Sequence, residues 1–517
     1  MTHFGFWNCA QRRPNHPAIV FEDATFLTMG QLLARSNQLA HSMRALGLRA
    51  GDVVAVVLEN EPAILETYLA IAQLGIFLVP INHHLVAPEI SYILKDSEAK
   101  MLIASATHAQ KSLQAAKEAS LPATNCFSTQ TFEGLQDYEA LLVGKSTDLP
   151  KNRQAGSTMN YTSGTTGKPK GVSRPTKNRD PDTTAEQLGM FLMLFGIQPE
   201  ADEVHICASP LYHTAVLNFA SYSLHLGHTV VMLKKWDSKK FLELSDKYKV
   251  THAHMVPTQF HRLLKLKEQE RTPYSLKSYR HMIHSAAPCP PDTKRQMVKW
   301  WGDCIYEYYA ASEGGGTLCS PKDWQLKPGS VGKPWPISDI RIVAEDGSEM
   351  PPYEIGTVYM KMGDLTFNYH GDAKKTAEAW SQDGYFTVGD AGYVDEDNYL
   401  FLCDRKSDMI ISGGVNIYPA EIEAAYIQHA LVQDVAVFGI PHDDWGEEVK
   451  AVIELAQATI EQETLKNELL NFGKDHLAKY KCPKSIDFIP AMPRDPNGKL
   501  MKRKLRDPYW EGRERQI

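Results

Sequence analysis

Between Ala18 and Asn82 the chain switches repeatedly between two hydrophobic periods. Thr28 to Leu46 carries Leu32, Leu33, Leu39 and Met43 on one side of a helical repeat, and Thr28 stands where the cap would be. Asp52 to Asn60, DVVAVVLEN, is instead a nearly continuous run of β-branched and other apolar residues, which predicts a strand buried on both faces. Pro62 to Leu74 returns to helix and Ile76 to Asn82 to strand. Met101 to Ser105 and Thr229 to Trp236 add strands, and Val204 to His228 begins as a strand and turns into an apolar helix. Strands and helices alternating through short links imply parallel sheets covered by helices. Towards the C-terminus, Asp434 to Pro441 reads as a buried strand and Ile460 to Leu477 as a helix, within a smaller unit that continues through Tyr480 to Pro490. The pattern predicts an α/β chain: a large N-terminal domain of parallel-rich sheets packed with helices, then a small α+β C-terminal domain.

A length of 517 residues is enough for two or more domains. The net charge of −7 gives no reason to expect a nucleic-acid partner. The eight cysteines are scattered without a CxxC pair, so neither a zinc ribbon nor a disulfide framework is supported, and a reducing cytoplasm fits. No apolar run reaches the ~18 residues of a membrane span. The opening MTHFGFWNCAQRRPNHPA lacks the apolar core of a signal peptide. The expectation is a cytoplasmic protein without a transmembrane segment, with peripheral membrane contact left open.

The chemistry starts at Thr162 to Gly171, TSGTTGKPKG. Its glycines and proline fit neither a helix nor a strand interior, so a loop is expected. Glycine lets backbone N–H groups approach an anion; Ser163, Thr165 and Thr166 add hydroxyl donors, and Lys168 and Lys170 add charge. By composition alone a solvated turn stands beside a phosphate grip. The string is not a Walker A loop, because Lys168 precedes Pro169 rather than a serine or threonine.

That string resembles the phosphate loop of the adenylate-forming superfamily: acyl-CoA synthetases, firefly luciferase and nonribosomal peptide adenylation domains. Later blocks resemble the family's motifs in the same order, and the resemblance spans essentially the whole chain. It implies ATP contacts from Thr162, Ser163, Gly164, Thr165, Thr166, Gly167 and Lys168. PLYHT matches the segment whose aromatic or histidine residue closes over the carboxylate, here His213. HSAAPCP matches the segment lying along the adenine, bringing in Ala286 and Ala287. YEYYAASEGGG matches the Tyr-Gly-x-Ser/Thr-Glu motif through Tyr309, Ser312 and Glu313, with Ala310 where the family usually has glycine. Glu313 is the implied Mg2+ ligand, a hard cation favouring carboxylate oxygen. In Tyr385 to Glu423 the resemblance assigns Asp390 and Arg405 to the ribose, Ser407 to the hinge, and Ser412, Gly413 and Gly414 to the pantetheine tunnel of CoA. Pro493 to Leu505 resembles the C-terminal loop that presents a catalytic lysine, Lys499. The domains implied are 1–404, binding ATP and the acyl group, and 405–517, mobile and carrying that lysine. The family's usual Thr-His pair after the glycine loop is Arg174-Pro175 here, so no role is carried over. Lys170, Arg174, Lys177 and Arg179 read as a solvated basic face rather than a site for CoA phosphates.

The implied reaction joins a carboxylate to the α-phosphate of ATP, releases diphosphate, and passes the acyl group from the adenylate to CoA. Lys499, Glu313, Thr166 and His213 form the implied catalytic set; ATP, Mg2+ and CoA are the implied cofactor and co-substrates. Between Tyr212 and Gly227 there is no Asp or Glu to meet an α-ammonium, so an amino-acid substrate is disfavoured. The same segment offers Ala215, Val216, Leu217, Phe219, Ala220 and Leu224 as an apolar lining, with Ala310, Ala311 and Gly314 to Gly316 leaving space. His213, Leu217, Ala311 and Gly314 are the expected acyl contacts. The expected substrate is an apolar acid, either a medium- or long-chain fatty acid or a bulky alicyclic acid, with an aryl or cinnamic-type acid next. A luciferase-like oxygenase and a non-catalytic adenylate sensor are the readings from other classes. The chain ends RERQI rather than in the peroxisomal SKL typical of luciferases. Keeping Glu313, Asp390, Arg405 and Lys499 together argues against the sensor.

Overall fold

The computed structural model describes residues 4–162, 169–174, 179–200, 202–405, 408–413, 415–456, 462–495 and 499–511. Two parallel sheets build the large N-terminal part. In one, the strand Val53–Val57 is buried at every residue and lies between Phe77–Pro80 and Met101–Ala104, all parallel. Double-sided burial is what its uninterrupted apolar sequence requires. In the other, Ile305–Ala311, His281–His284, His252–Met255, Val204–Cys207, Thr229–Met232 and Pro17–Phe21 run parallel in that spatial order, flanked by antiparallel edge strands.

Helices fill the space between these sheets. Met29–Ala45 begins in a capping box: the Gln31 amide N–H donates to the Thr28 hydroxyl at 3.2 Å, and the Thr28 N–H donates to the Gln31 side chain at 2.8 Å. Its Leu32, Leu39 and Met43 join Val54 and Val56 of one sheet and Cys207 and Val230 of the other in a single core, with Leu33 packed at its edge. Pro62–Ile71 and Thr214–His225 complete that layer.

A four-stranded antiparallel sheet, Ser338–Val343, Gly356–Met362, Asp390–Val394 and Leu400–Arg405, closes the large part. Arg405 still registers with Asp390, so the expected boundary at 404/405 falls inside this last strand and the junction follows it. Ser407, the expected pivot, lies outside the described residues. The small C-terminal part has its own core on a mixed sheet of Ile410–Ser412, Val415–Ile417, Val432–His442, Gly446–Leu455 and Ser485–Ile489. Pro419–Tyr426 and Gln462–His476 pack against it. This is the α/β organisation with a large and a small domain that the pattern predicts. No helix among the described residues is long and apolar enough to cross a membrane.

Candidate active site

Four neighbouring parallel strands deliver the site. The chain leaves Val204–Cys207, His252–Met255, His281–His284 and Ile305–Ala311 at their carboxyl ends, and each exit contributes to one cavity. They supply Tyr212 and His213; Val256 and Pro257; Ser285, Ala286 and Ala287; and Ser312, Glu313 and Gly314. This is where an open α/β sheet places ligands, because the connections that line the crevice leave at that edge. The cavity has a volume of about 2470 Å³, more than one ordinary small-molecule pocket, and it reaches the C-terminal part, whose Asp495 and Lys499 line it.

The expected residues meet in pairs. The Tyr309 hydroxyl donates to Asp390 Oδ2 at 2.6 Å, and both line the cavity. The Tyr369 hydroxyl donates to Glu313 Oε1 at 2.8 Å. Burial and the Glu313 charge raise the Tyr369 pKa, so this phenol stays a donor. The Ser312 and Thr214 hydroxyls lie 3.4 Å apart. His213 caps the Thr214–His225 helix with its Nε2 buried and without a hydrogen-bond partner among the described residues. Burial, and then the positive charge of Lys499, hold its pKa well below the usual imidazole value, so the ring is neutral. Lys499 is fixed through its backbone: its N–H donates to Asp495 Oδ1 at 2.8 Å and its carbonyl accepts from the Asp495 N–H at 2.8 Å.

Ala286 and Ala287 line the cavity, and Ala286 holds a φ of 73°, a left-handed conformation rare for alanine. Thr162 pairs through its backbone with Lys170, so antiparallel strands enter and leave the glycine loop. Ser163, Gly164, Thr165, Thr166, Gly167 and Lys168 lie outside the described residues, as does Gly414. Ser412 and Gly413 belong to a hairpin of the small domain and are not among the cavity-lining residues, whereas Lys499 is. Ala311 and Gly314 line the cavity.

Three expectations need correction. Leu217 is not at the acyl wall: it is fully buried in the core between the sheets, with Val216, Ala220 and Leu224. The apolar stripe of an amphipathic helix faces its core. The cavity therefore receives the opposite stripe, Thr214, Ala215, Asn218, Tyr222 and His225, and of the proposed apolar lining only Ala215 belongs to it. Gly316 does not make room for substrate. With φ at 148°, a Cβ there would lie 2.5 Å from the Trp335 ring and from the Tyr309 carbonyl oxygen. Arg174 is not on a solvated basic face. It lines the cavity, half-buried, and its Nη2 donates to the Ser312 carbonyl at 2.6 Å. Of its supposed partners, Lys170 pairs with Asp372 at 3.5 Å, Arg179 is exposed, and Lys177 lies outside the described residues.

The helix's true cavity face was present in the sequence as polar residues spaced by four, Thr214, Asn218 and Tyr222. An aromatic wall was not, because it is assembled from five segments. Trp7 lies 5.8 Å from His225, His225 6.5 Å from Tyr222, Tyr222 6.2 Å from Phe191, and Phe191 5.7 Å from Tyr308 and 5.5 Å from Trp335, ring centre to ring centre.

A family model described as AMP-binding enzyme matches residues 6–370, and one described as AMP-binding enzyme C-terminal domain matches 421–499. A fatty acid–acyl-carrier-protein ligase of Streptomyces coeruleorubidus is 31% identical over 516 residues, covering 98% of this chain and 96% of the relative. A feruloyl-CoA synthase of an Amycolatopsis species is 32% identical over 507 residues, covering 97% and 98%. Among solved structures, ATP-bound MatB from Rhodopseudomonas palustris superposes with a TM-score of 0.83 at 29% identity, covering 98% of this chain and 99% of that one. The o-succinylbenzoate CoA synthetase of Bacillus subtilis, in complex with its acyl-adenylate intermediate, gives 0.81 at 27% identity, covering 99% of each.

Proposed function

The chain belongs to the AMP-binding enzyme family and is an acid–thiol ligase, and we propose that it activates a bulky, largely apolar carboxylic acid as its adenylate and transfers the acyl group to CoA. The observation that carries this reading is the meeting of both domains at one cavity. Lys499 of the small domain lines the same space as His213, Glu313, Tyr309 and Asp390.

In the first half-reaction two anions, a carboxylate and a polyphosphate, must approach. Lys499 supplies positive charge where the carboxylate oxygen attacks the α-phosphorus and the bond to diphosphate breaks. His213, neutral and with its Nε2 unpartnered among the described residues, orients the carboxylate without adding a charge. Asp390, positioned by Tyr309, accepts from the ribose hydroxyls. Glu313 keeps one carboxylate oxygen beyond the Tyr369 hydrogen bond and sits on the cavity, which fits a Mg2+ ligand whose other oxygens come from phosphates. Mg2+ bound there would offset phosphate charge. In the second half-reaction the small domain turns about a pivot near Ser407, withdraws Lys499 and brings Ser412 to Gly414 to the adenylate. The thiol sulfur then attacks the acyl carbon and AMP leaves.

The aromatic side chains lining the cavity, Tyr222 and Phe191 among them, favour a ring-bearing acid, alicyclic or aryl, over a straight chain, since rings pack well against rings. A panel of fatty, alicyclic, aryl and amino acids, scored by diphosphate release with and without CoA, tests the whole reading. Ring-bearing acids should release diphosphate, and CoA should convert single turnover to steady turnover with thioester formed. Release driven only by amino acids, or no thioester with any acid, would overturn it.

A further inference from the structure

Lys375 lines the cavity, half-buried, and no carboxylate among the described residues forms an ion pair with it. The acidic groups nearest it in sequence are engaged elsewhere: Asp372 pairs with Lys170 at 3.5 Å and Glu378 with Lys374 at 3.8 Å. An ammonium carries three N–H donors and no acceptor, so a cavity that presents one without a counter-ion suits an anionic ligand.

The fold pins this lysine in place. The strand Asn368–Tyr369 pairs with Lys170–Ser173, the strand that leaves the glycine loop. The helix Ala373–Ala379 follows at once, and two hydrogen bonds tie its first turn down: the Lys375 N–H donates to Asp372 Oδ1 at 3.0 Å, and the Tyr369 N–H donates to the Thr376 hydroxyl at 2.9 Å. Held this way, Lys375 Nζ lies 4.5 Å from the centre of the Tyr369 ring. The hydroxyl of that same ring donates to Glu313 Oε1 at 2.8 Å. One phenol ring therefore separates a cation from the carboxylate that fits Mg2+. A ring face attracts the ammonium only weakly and leaves its donors unspent, and the four-carbon stem lets it move to a stronger partner.

We propose that Lys375 binds the departing diphosphate. As the carboxylate oxygen bonds to the α-phosphorus, the bond from that phosphorus to the bridging oxygen breaks, and the electron pair stays on the diphosphate. Lys375 meets this growing charge from the large domain, on the Glu313 side of the cavity, whereas Lys499 comes from the small domain. The anion that suits Lys375 is thus a phosphate that also reaches a cation at Glu313, rather than the acyl group. This rests on the ligase reading and adds to it a residue for the leaving group.

The test is acid-dependent ATP–diphosphate exchange by the full-length enzyme, with inorganic diphosphate as the varied substrate. Lys375→Met, which keeps the stem and removes the charge, should raise the KM for diphosphate by ~10-fold or more, the scale of a charge-assisted hydrogen bond, and leave the KM for the acid in place. Lys375→Arg, which keeps the charge, should raise it by less. Thioester formation from supplied acyl-adenylate and CoA, in which diphosphate takes no part, reports that each variant is folded. A second measurement needs no variant: in wild-type protein labelled with acetic anhydride and read by mass spectrometry, Mg2+ with diphosphate should slow modification of Lys375 several-fold, and AMP should not. An unchanged diphosphate KM in Lys375→Met, a rise confined to the KM for the acid, or labelling of Lys375 that diphosphate leaves unaltered would each overturn the proposal while the ligase reading stands. Absence of exchange by the wild type with every acid of the panel would remove the ligase reading itself, and the proposal with it.

Discussion

Lowering the pH from about 7.5 to about 5.5 should remove most of the stability of the large domain, because its central sheet is crossed by neutral histidines. His205, His252 and His281 sit in register on three adjacent parallel strands, with the His205 and His252 rings 5.0 Å apart. His228 lies 5.5 Å from His252, and His254 is two residues further along the same strand. The charged groups beside the row are Glu203, 3.6 Å from His252, and Arg280, which pairs with Glu203. Burial pulls the pKa of His205 and His254 down to about 3 and that of His228 and His281 down to about 4. In the unfolded chain each would titrate near 6.5. The folded state thus refuses protons that the unfolded state accepts. The stability is complete above about pH 6.5 and is lost as the pH falls towards the folded values. Between about pH 7.5 and 5.5 each histidine removes about 1.4 kcal/mol, so four remove about 5–6 kcal/mol, comparable with the whole stability of an ordinary domain. Urea titrations followed by tryptophan fluorescence report mainly on this domain, since seven of the nine tryptophans precede residue 405. His205→Leu should flatten the pH dependence by about one proton's worth, about 1.4 kcal/mol per pH unit near pH 5.5. A wild-type loss under about 2 kcal/mol across that range would refute the reasoning.

Three further outcomes are expected. Lys294 is fully buried and its Nζ lies 2.6 Å from Glu307 Oε2, so Lys294→Met should destabilise by about 3–5 kcal/mol in urea unfolding, and adding Glu307→Leu should recover much of it; equal stability of single and double variants would contradict this. Glu313→Gln should raise the Mg2+ concentration for half-maximal diphosphate release and lower turnover, and an unchanged Mg2+ dependence would remove Glu313 as the ligand. Gly156→Ala places a Cβ 2.2 Å from the Ile71 carbonyl oxygen and should abolish soluble folded protein, whereas a Tm within a few degrees of wild type would show that the backbone there can yield.

The parallel-sheet scaffold was legible in the sequence because its signals are local. Val53–Val57 is apolar throughout since both faces are covered, and Thr28 announces its helix by reaching only three residues ahead. The motif residues were legible through resemblance, and the fold places His213, Glu313, Asp390 and Lys499 around one cavity. The orientation of a helix between two sheets was not legible. Leu217 and Tyr222 are both apolar-bodied residues of the same helix, and only the position of the second sheet decides which faces substrate. Arg174 was misread for a similar reason. Beside Lys170 and Lys177 it completes a basic run, but in space its nearest hydrogen-bond acceptor is the carbonyl of Ser312, 138 residues away. The meaning of Gly316 likewise depends on Trp335, a neighbour no local pattern specifies.

The central claim is that Lys499 stabilises adenylate formation and is withdrawn before thioester formation. Its most direct measurement takes the two half-reactions apart in Lys499→Ala: acid-dependent ATP–diphosphate exchange for the first, and thioester formation from supplied acyl-adenylate and CoA for the second. Exchange should fall by ~10²-fold or more, the scale of a lost electrostatic stabiliser, while thioester formation from supplied adenylate stays near wild type. Equal loss of both, or exchange at the wild-type rate, would contradict the account.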